Sequence, residues 1–172
     1  MNEALDALQL RRGMLQETMN FMGALAYGLE QVVGRGGNSV AFLAGKKLGR
    51  QIAVGANHMD DPAAALVEVN RLLREHGCLW EFGPFEPEGD AKSLVEEKEG
   101  GTSMLVVFHD CMIRQSLFSF GHVQKGSLCS MTHGVIAGTI EGVMGKSSEL
   151  EILHAGENAC LKRLVVKDEV IQ

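Results

Sequence analysis

Three glycines at four-residue intervals constrain how the C-terminal half of this chain folds. Gly134, Gly138 and Gly142 lie within a segment that predicts one long helix to about Gly145, with Ser127 as its cap. Residues four apart share a helix face, so these glycines form one stripe without side chains. Each interior glycine lowers helix stability by about 1 kcal/mol relative to alanine, so the stripe requires a compensating gain. Either another backbone packs closely there, or the missing side chains leave room for a ligand.

The first half of the chain predicts three further helices. Apolar residues spaced by three and four predict a helix over Met14–Val33, and the glycines from Gly34 end it. A second helix follows, to about Gly55. A third begins at Asp61–Pro62, since aspartate caps a helix and proline suits its first position, and it ends at Gly77.

Strands are predicted in much of the remaining sequence. Cys78–Phe85 and Met104–Phe108 read as strands, and the second run is continuously apolar and therefore buried. Glu149–His154 and Cys160–Val166 flank a glycine-containing turn and predict a terminal hairpin. The prediction is one α+β domain over residues 1–172, with N-terminal helices, a mostly antiparallel sheet, one long glycine-rich helix and a C-terminal β-hairpin.

The charge balance and the cysteine content restrict the class of protein. The 172 residues carry a net charge of −6 at pH 7, which disfavours a nucleic-acid-binding surface. No apolar run approaches the roughly 18 residues that a membrane span needs, and the acidic N-terminus lacks the pattern of a signal peptide. These features predict a cytoplasmic protein whose four cysteines are thiols or metal ligands rather than disulfides.

The strongest candidate site joins the start of the glycine-rich helix to the hairpin. Cys129 lies in the first helical turn, where the helix dipole favours a thiolate, and the hairpin supplies Glu151, His154 and Cys160. These are zinc donors, and His133, one turn after Cys129, is a rival fourth ligand. Glu151 and His154 point to opposite faces of a regular strand, so both bind only if the strand bends. Otherwise the two cysteines are small buried hydrophobes.

The C-terminal half also resembles a known family. The segments concerned are Leu128–Gly138 and Glu151-x-x-His154-x-Gly156-x-x-x-Cys160. They resemble the 4-vinyl reductase domain, in which a cysteine precedes a glycine-containing helix and Glu-x-x-Cys, a glycine and a final cysteine follow. The resemblance implies an α+β fold related to the small TRAPP vesicle-tethering subunits, an internal hydrocarbon-binding pocket, and structural zinc at the four candidate ligands. His154 stands where the family usually has cysteine.

The resemblance therefore predicts a stand-alone domain that binds a small hydrophobic or aromatic ligand, as sensor domains of that family do. The first two helices, the buried strand and the glycine stripe would line the pocket. The lining residues so predicted are Met22, Phe42, Phe108, Gly134, Gly138 and Gly142.

Two other functions remain open at this point. An enzyme of tetrapyrrole metabolism, of the bacteriochlorophyll type, would need a proton donor in the pocket, for which His109, Asp110 and His133 are candidates. A protein-interaction module is the other alternative, by analogy with the vesicle-tethering subunits. A homodimer is compatible with each.

Overall fold

Four helices and five strands form the part of the chain that the computed structural model describes, residues 2–34, 36–78, 80–85, 95–111, 113 and 124–170. The helices are α1 (Asn2–Val33), α2 (Gly36–Ile52), α3 (Pro62–Glu75) and α4 (Ser127–Met144). The strands are β1 (Glu81–Pro84), β2 (Val95–Lys98), β3 (Gly101–Asp110), β4 (Lys146–Ala155) and β5 (Cys160–Val170). This is the predicted α+β class.

The strands pair in an antiparallel sheet of order β1-β3-β5-β4, and β2 pairs with β3 as well. The predicted buried run lies in β3, where Met104, Val106 and Phe108 are buried. Phe108 pairs with Cys160 at the start of β5. The C-terminal hairpin is therefore joined directly to the buried strand. Within the described part of the chain, no helix is long and apolar enough to span a membrane.

The hairpin is irregular near its turn. Ile152 pairs with Lys162, but the next paired residue of β4 is His154, which faces Leu161. Leu153 is thus an extra residue in β4, as in a β-bulge. Because side chains alternate along a strand, the insertion places Glu151 and His154 on the same face.

The core lies between this sheet and the helices α3 and α4. Fully buried side chains from all three layers meet there, because each helix turns one apolar stripe towards the sheet. The largest of them are Leu73, Val69, Phe108, Leu164, Ile136 and Ile140.

Close backbone packing explains the glycine stripe of α4. A Cβ atom built on Gly134 or Gly138 would lie 2.1 Å from a carbonyl oxygen of α2, and one on Gly142 would lie 2.3 Å from the Cβ of Ala53. Two glycines of α2 make the matching contact from the other side. A Cβ on Gly45 would lie 2.1 Å, and one on Gly49 2.0 Å, from a carbonyl oxygen of α4. The space that the sequence analysis assigned to a ligand is filled by α2, so the ligand-lining interpretation of the stripe is corrected.

A buried ion pair also joins α2 to α4. The Glu141 side chain is 2% exposed, and its two carboxylate oxygens lie 2.5 Å from Lys46 Nζ and 2.7 Å from Arg50 Nη2. The two cations are partly exposed, so their charges stay hydrated while the carboxylate is compensated. This pair fixes the relative position of the two helices along their glycine contact.

A residue far away in the sequence caps the N-terminus of α4. Gly126 occupies the cap position and offers no side chain, whereas Ser127, the predicted cap, is the first helical residue. The Glu30 carboxylate accepts hydrogen bonds from the Ser127 backbone N–H at 2.8 Å and from its hydroxyl at 2.6 Å. An acidic group at this helix end is favoured by the free N–H groups and the helix dipole. The predicted cap at Asp61 is confirmed, since it accepts from Ala64 N at 2.7 Å.

Candidate ligand pocket

A small, partly enclosed pocket lies where the start of α4 meets β3 and the hairpin. Its volume is about 20 Å³, room for about one water-sized group. Alternating residues of β5 and residues three apart on α4 face it, as the two periodicities require. The lining residues are Phe108, Cys111, Ile113, Gln124, Cys129, Thr132, Ile152, Ala155, Cys160 and Lys162.

An aromatic ring and a cation lie together in this wall. Phe108 is fully buried and stacks on Phe82, with 4.9 Å between the ring centroids. Lys162 is 4% exposed, and its Nζ lies 3.8 Å from the Phe108 centroid. A desolvated ammonium over an aromatic face gains about 2 kcal/mol. The pocket therefore combines apolar walls with one charged group beside the ring.

Three of the four cysteines line the same pocket. Cys129 and Cys160 were expected to lie together, and the structure brings them to one place. Cys111 was missed as a pocket residue, although it follows directly after the buried strand that pairs with Cys160. Burial raises the pKa of the Cys129 thiol, despite a backbone hydrogen bond involving Lys125 and the charge of Lys162, which both lower it. The helix-dipole expectation of a thiolate is thus corrected, because desolvation outweighs it.

The two other predicted zinc ligands lie on the opposite face of the hairpin. Ile152 and Lys162 face the pocket, so the neighbouring pair Glu151 and Arg163 faces away, and their side chains form an ion pair at 3.0 Å. His154 shares that outer face and is exposed. In this structure the two thiols therefore lie on one side of the hairpin and the two other candidate ligands on the other. No group of three or more His, Cys, Asp or Glu side chains in the described ranges is arranged to hold a metal ion.

His133 lies on α4 near Lys162 but in a different recess. Its Nε2 atom is buried and has no hydrogen-bond partner among the residues that the structure describes, and its pKa is lowered to about 3, first by burial and then by Lys162. The imidazole is therefore neutral at pH 7 and does not serve as a proton donor there. The recess is an open groove of about 480 Å³ that also includes Phe42.

The remaining residues predicted to line a ligand pocket or to donate a proton do not share one site. Phe108 lines the pocket, whereas Met22 is half-buried on α1. His109 is exposed at the end of β3, and the side chain of Asp110 lies outside the described part.

Comparison with known proteins identifies a solved structure with a similar fold. No family model matches the chain, and no curated protein matches it. Among solved structures, the chain is similar to the phenol-responsive sensory domain of the transcription activator PoxR, determined with phenol. The TM-score is 0.58 at 16% sequence identity, covering 87% of this chain and 74% of that one. The two chains share a fold.

Proposed function

We propose that this chain is a sensory domain that binds a small aromatic or otherwise apolar molecule in the pocket between α4 and the hairpin. The observation that carries the proposal is the pocket itself, in which Phe108, Ile152 and the cysteine side chains form apolar walls. Sites for small molecules are typically apolar with a few polar groups. The shared fold with a phenol-responsive domain supports this assignment.

Lys162 supplies the charged group of this site. Its ammonium lies over the Phe108 ring, at the boundary of the apolar wall. A ring hydroxyl or a carboxylate on the ligand would accept a hydrogen bond from it, which would orient the ligand. His133, one of the proton donors considered for an enzyme, lies in a different recess from this pocket.

The pocket must widen to admit an aromatic ring. Its volume of about 20 Å³ is far below the roughly 150 Å³ of a cavity that holds benzene. The lining side chains would therefore move apart as the ligand enters. A ligand that binds only the folded chain raises its stability by mass action, so binding is measurable as a rise in Tm.

Titration with phenol, followed by calorimetry and thermal unfolding, tests the proposal. The unsubstituted chain should bind phenol and gain Tm, whereas Cys129→Leu, which fills the pocket, should lose binding. Cys78→Leu is the matched control, because Cys78 is another half-buried thiol that does not line the pocket. Equal phenol binding by all three chains would place the site elsewhere. No binding of phenol, toluene or indole by the folded chain would refute the function.

Structural zinc at Cys129, Glu151, His154 and Cys160 is a separate proposal that rests on the resemblance. It requires the outer-face residues to leave their present positions, including the Glu151–Arg163 pair. Metal analysis of the purified chain tests it, with Cys129→Ser/Cys160→Ser as the variant that should lose the metal. Equal metal content in both chains would refute this ligand set.

A further inference from the structure

Helix α1 carries apolar residues on its buried face and on an adjacent exposed face. On the inner face, Gly23 and Ala26 are buried and Met22 and Leu29 are half-buried. The outer face is exposed over its whole described length. A surface helix normally has one apolar stripe, and a helix that is apolar all round is normally buried. The outer face of α1 therefore has the composition of an interface.

The outer residues lie along one stripe of the helix. They are separated by four, seven, four and seven positions, which keeps them within about 60° of arc at 3.6 residues per turn. We call this set the α1 seam: Leu10 (67% exposed), Met14 (61%), Phe21 (70%), Leu25 (59%) and Val32 (87%).

We propose that the α1 seam binds the same seam of a second copy of this chain, in antiparallel orientation, with Phe21 near the two-fold axis. In such a pair each residue faces the one equally far on the other side of Phe21. Leu10 and Val32 are both 11 positions from it, and Met14 and Gly28 are both seven. A Cβ on Gly28 would meet no atom of the described residues within 4 Å, so the space above it can receive the long Met14 side chain of the second copy. Leu25 and Glu17 are both four positions from Phe21, so Leu25 lies beside the exposed Glu17 of the second copy at the rim. The rest of the seam is self-complementary, as a two-fold interface requires.

The area of the seam suffices for a dimer. Large apolar side chains at these exposures present on the order of 100–150 Å² each, so five of them offer about 600 Å² per copy. This area equals the upper end of the range, about 300–600 Å², found for the largest apolar patch on a typical monomer. Two copies would bury about 1,200 Å², the lower bound for a stable interface. The seam spans about 33 Å of helix, or about six turns.

Sedimentation equilibrium of the full chain tests the dimer. The unsubstituted chain should be dimeric at micromolar concentration, and Phe21→Glu/Leu25→Glu should raise the dissociation constant at least about 30-fold, as loss of central anchors does. Val67→Glu is the matched control, since Val67 is 66% exposed on α3, outside the seam. Circular dichroism confirms that each variant folds. A monomeric unsubstituted chain, or a dimer that the double variant leaves intact, would overturn the proposal.

Cross-linking with a short bis-maleimide tests the orientation of the two helices. Because the chain has native thiols, cross-linking of the unsubstituted chain is measured first and subtracted. Phe21→Cys should cross-link to itself. Leu10→Cys should not, because its counterpart lies at the far end of the seam, but Leu10→Cys mixed with Val32→Cys should form the mixed product. Efficient self-cross-linking of Leu10→Cys would mean a parallel pair and would overturn the geometry. The outcome is independent of ligand binding, so this proposal and the proposed function fail separately.

Discussion

The substitution Gly138→Ala should destabilise the fold, although alanine is the better helix former. A Cβ at this position would lie 2.1 Å from the Lys46 carbonyl oxygen, where ordinary contacts begin at 3.4 Å. The obstacle is backbone, so the helices must separate by more than an ångström and loosen the other glycine contacts. Overpacking typically costs about 1–3 kcal/mol, and occasionally more, against an intrinsic gain of about 1 kcal/mol. An overlap of backbone at 2.1 Å belongs at the upper end of that cost, so we expect a net loss of about 2 kcal/mol in the free energy of unfolding.

Urea unfolding measures this loss directly. Trp80, the single tryptophan, is 7% exposed and reports on the core by its fluorescence. For a domain of this size the loss corresponds to a fall in Tm of about 4–8 °C. Gly37→Ala is the matched control on α2, because its Cβ would meet Leu29 at an ordinary 3.6 Å. It should leave stability unchanged or raise it by up to about 1 kcal/mol.

Together the two variants test whether α2 and α4 are in backbone contact at the glycine stripe. If Gly138→Ala is as stable as the unsubstituted chain, the helices are not in backbone contact at the stripe. The same result with reduced phenol binding would restore the ligand interpretation of the glycines.

Three further predictions concern ionisable side chains. Glu141→Gln should lower the free energy of unfolding by about 1–3 kcal/mol in urea titrations, because two cations lose a buried carboxylate; an unchanged value would mean that the pair contributes nothing. Glu30→Gln should lower it by about 0.5–2 kcal/mol and increase amide exchange in the first turn of α4, which loses its charged cap; unchanged exchange there would contradict the capping role. His133, with its pKa lowered to about 3, stays neutral in the folded chain but binds a proton in the unfolded chain below about pH 6.5. Stability should therefore be fully present above pH 6.5 and fall towards pH 5 by about 1.4 kcal/mol per unit, and His133→Gln should flatten this slope in urea titrations across that range.

The secondary structure was largely predictable because its signals are local. Asp61–Pro62 specifies a helix start through a side chain and a ring that act within one turn. The apolar run at Met104–Phe108 and the paired strands at the C-terminus give the strand period directly. These patterns led to the α+β class and the hairpin that the structure confirms.

The cap of α4 and the thiol environment were not predictable by the same means. Glu30 is 97 positions from the serine that it caps, so no local motif connects them. Cys129 has the local setting of a thiolate, but burial raises its pKa, and burial depends on which elements cover the residue.

The sequence by itself determined that α4 carries a glycine stripe, that a hairpin follows it, and that two cysteines lie near their junction. It left open whether the stripe meets a backbone or a ligand, because both require the same missing side chains. Tertiary structure decided this by placing α2 against the stripe. It also set which strand faces these residues share, since the extra residue Leu153 puts Glu151 and His154 together on the face away from the thiols. Helix and strand periods are properties of neighbouring residues, whereas faces in contact are set by how whole elements pack.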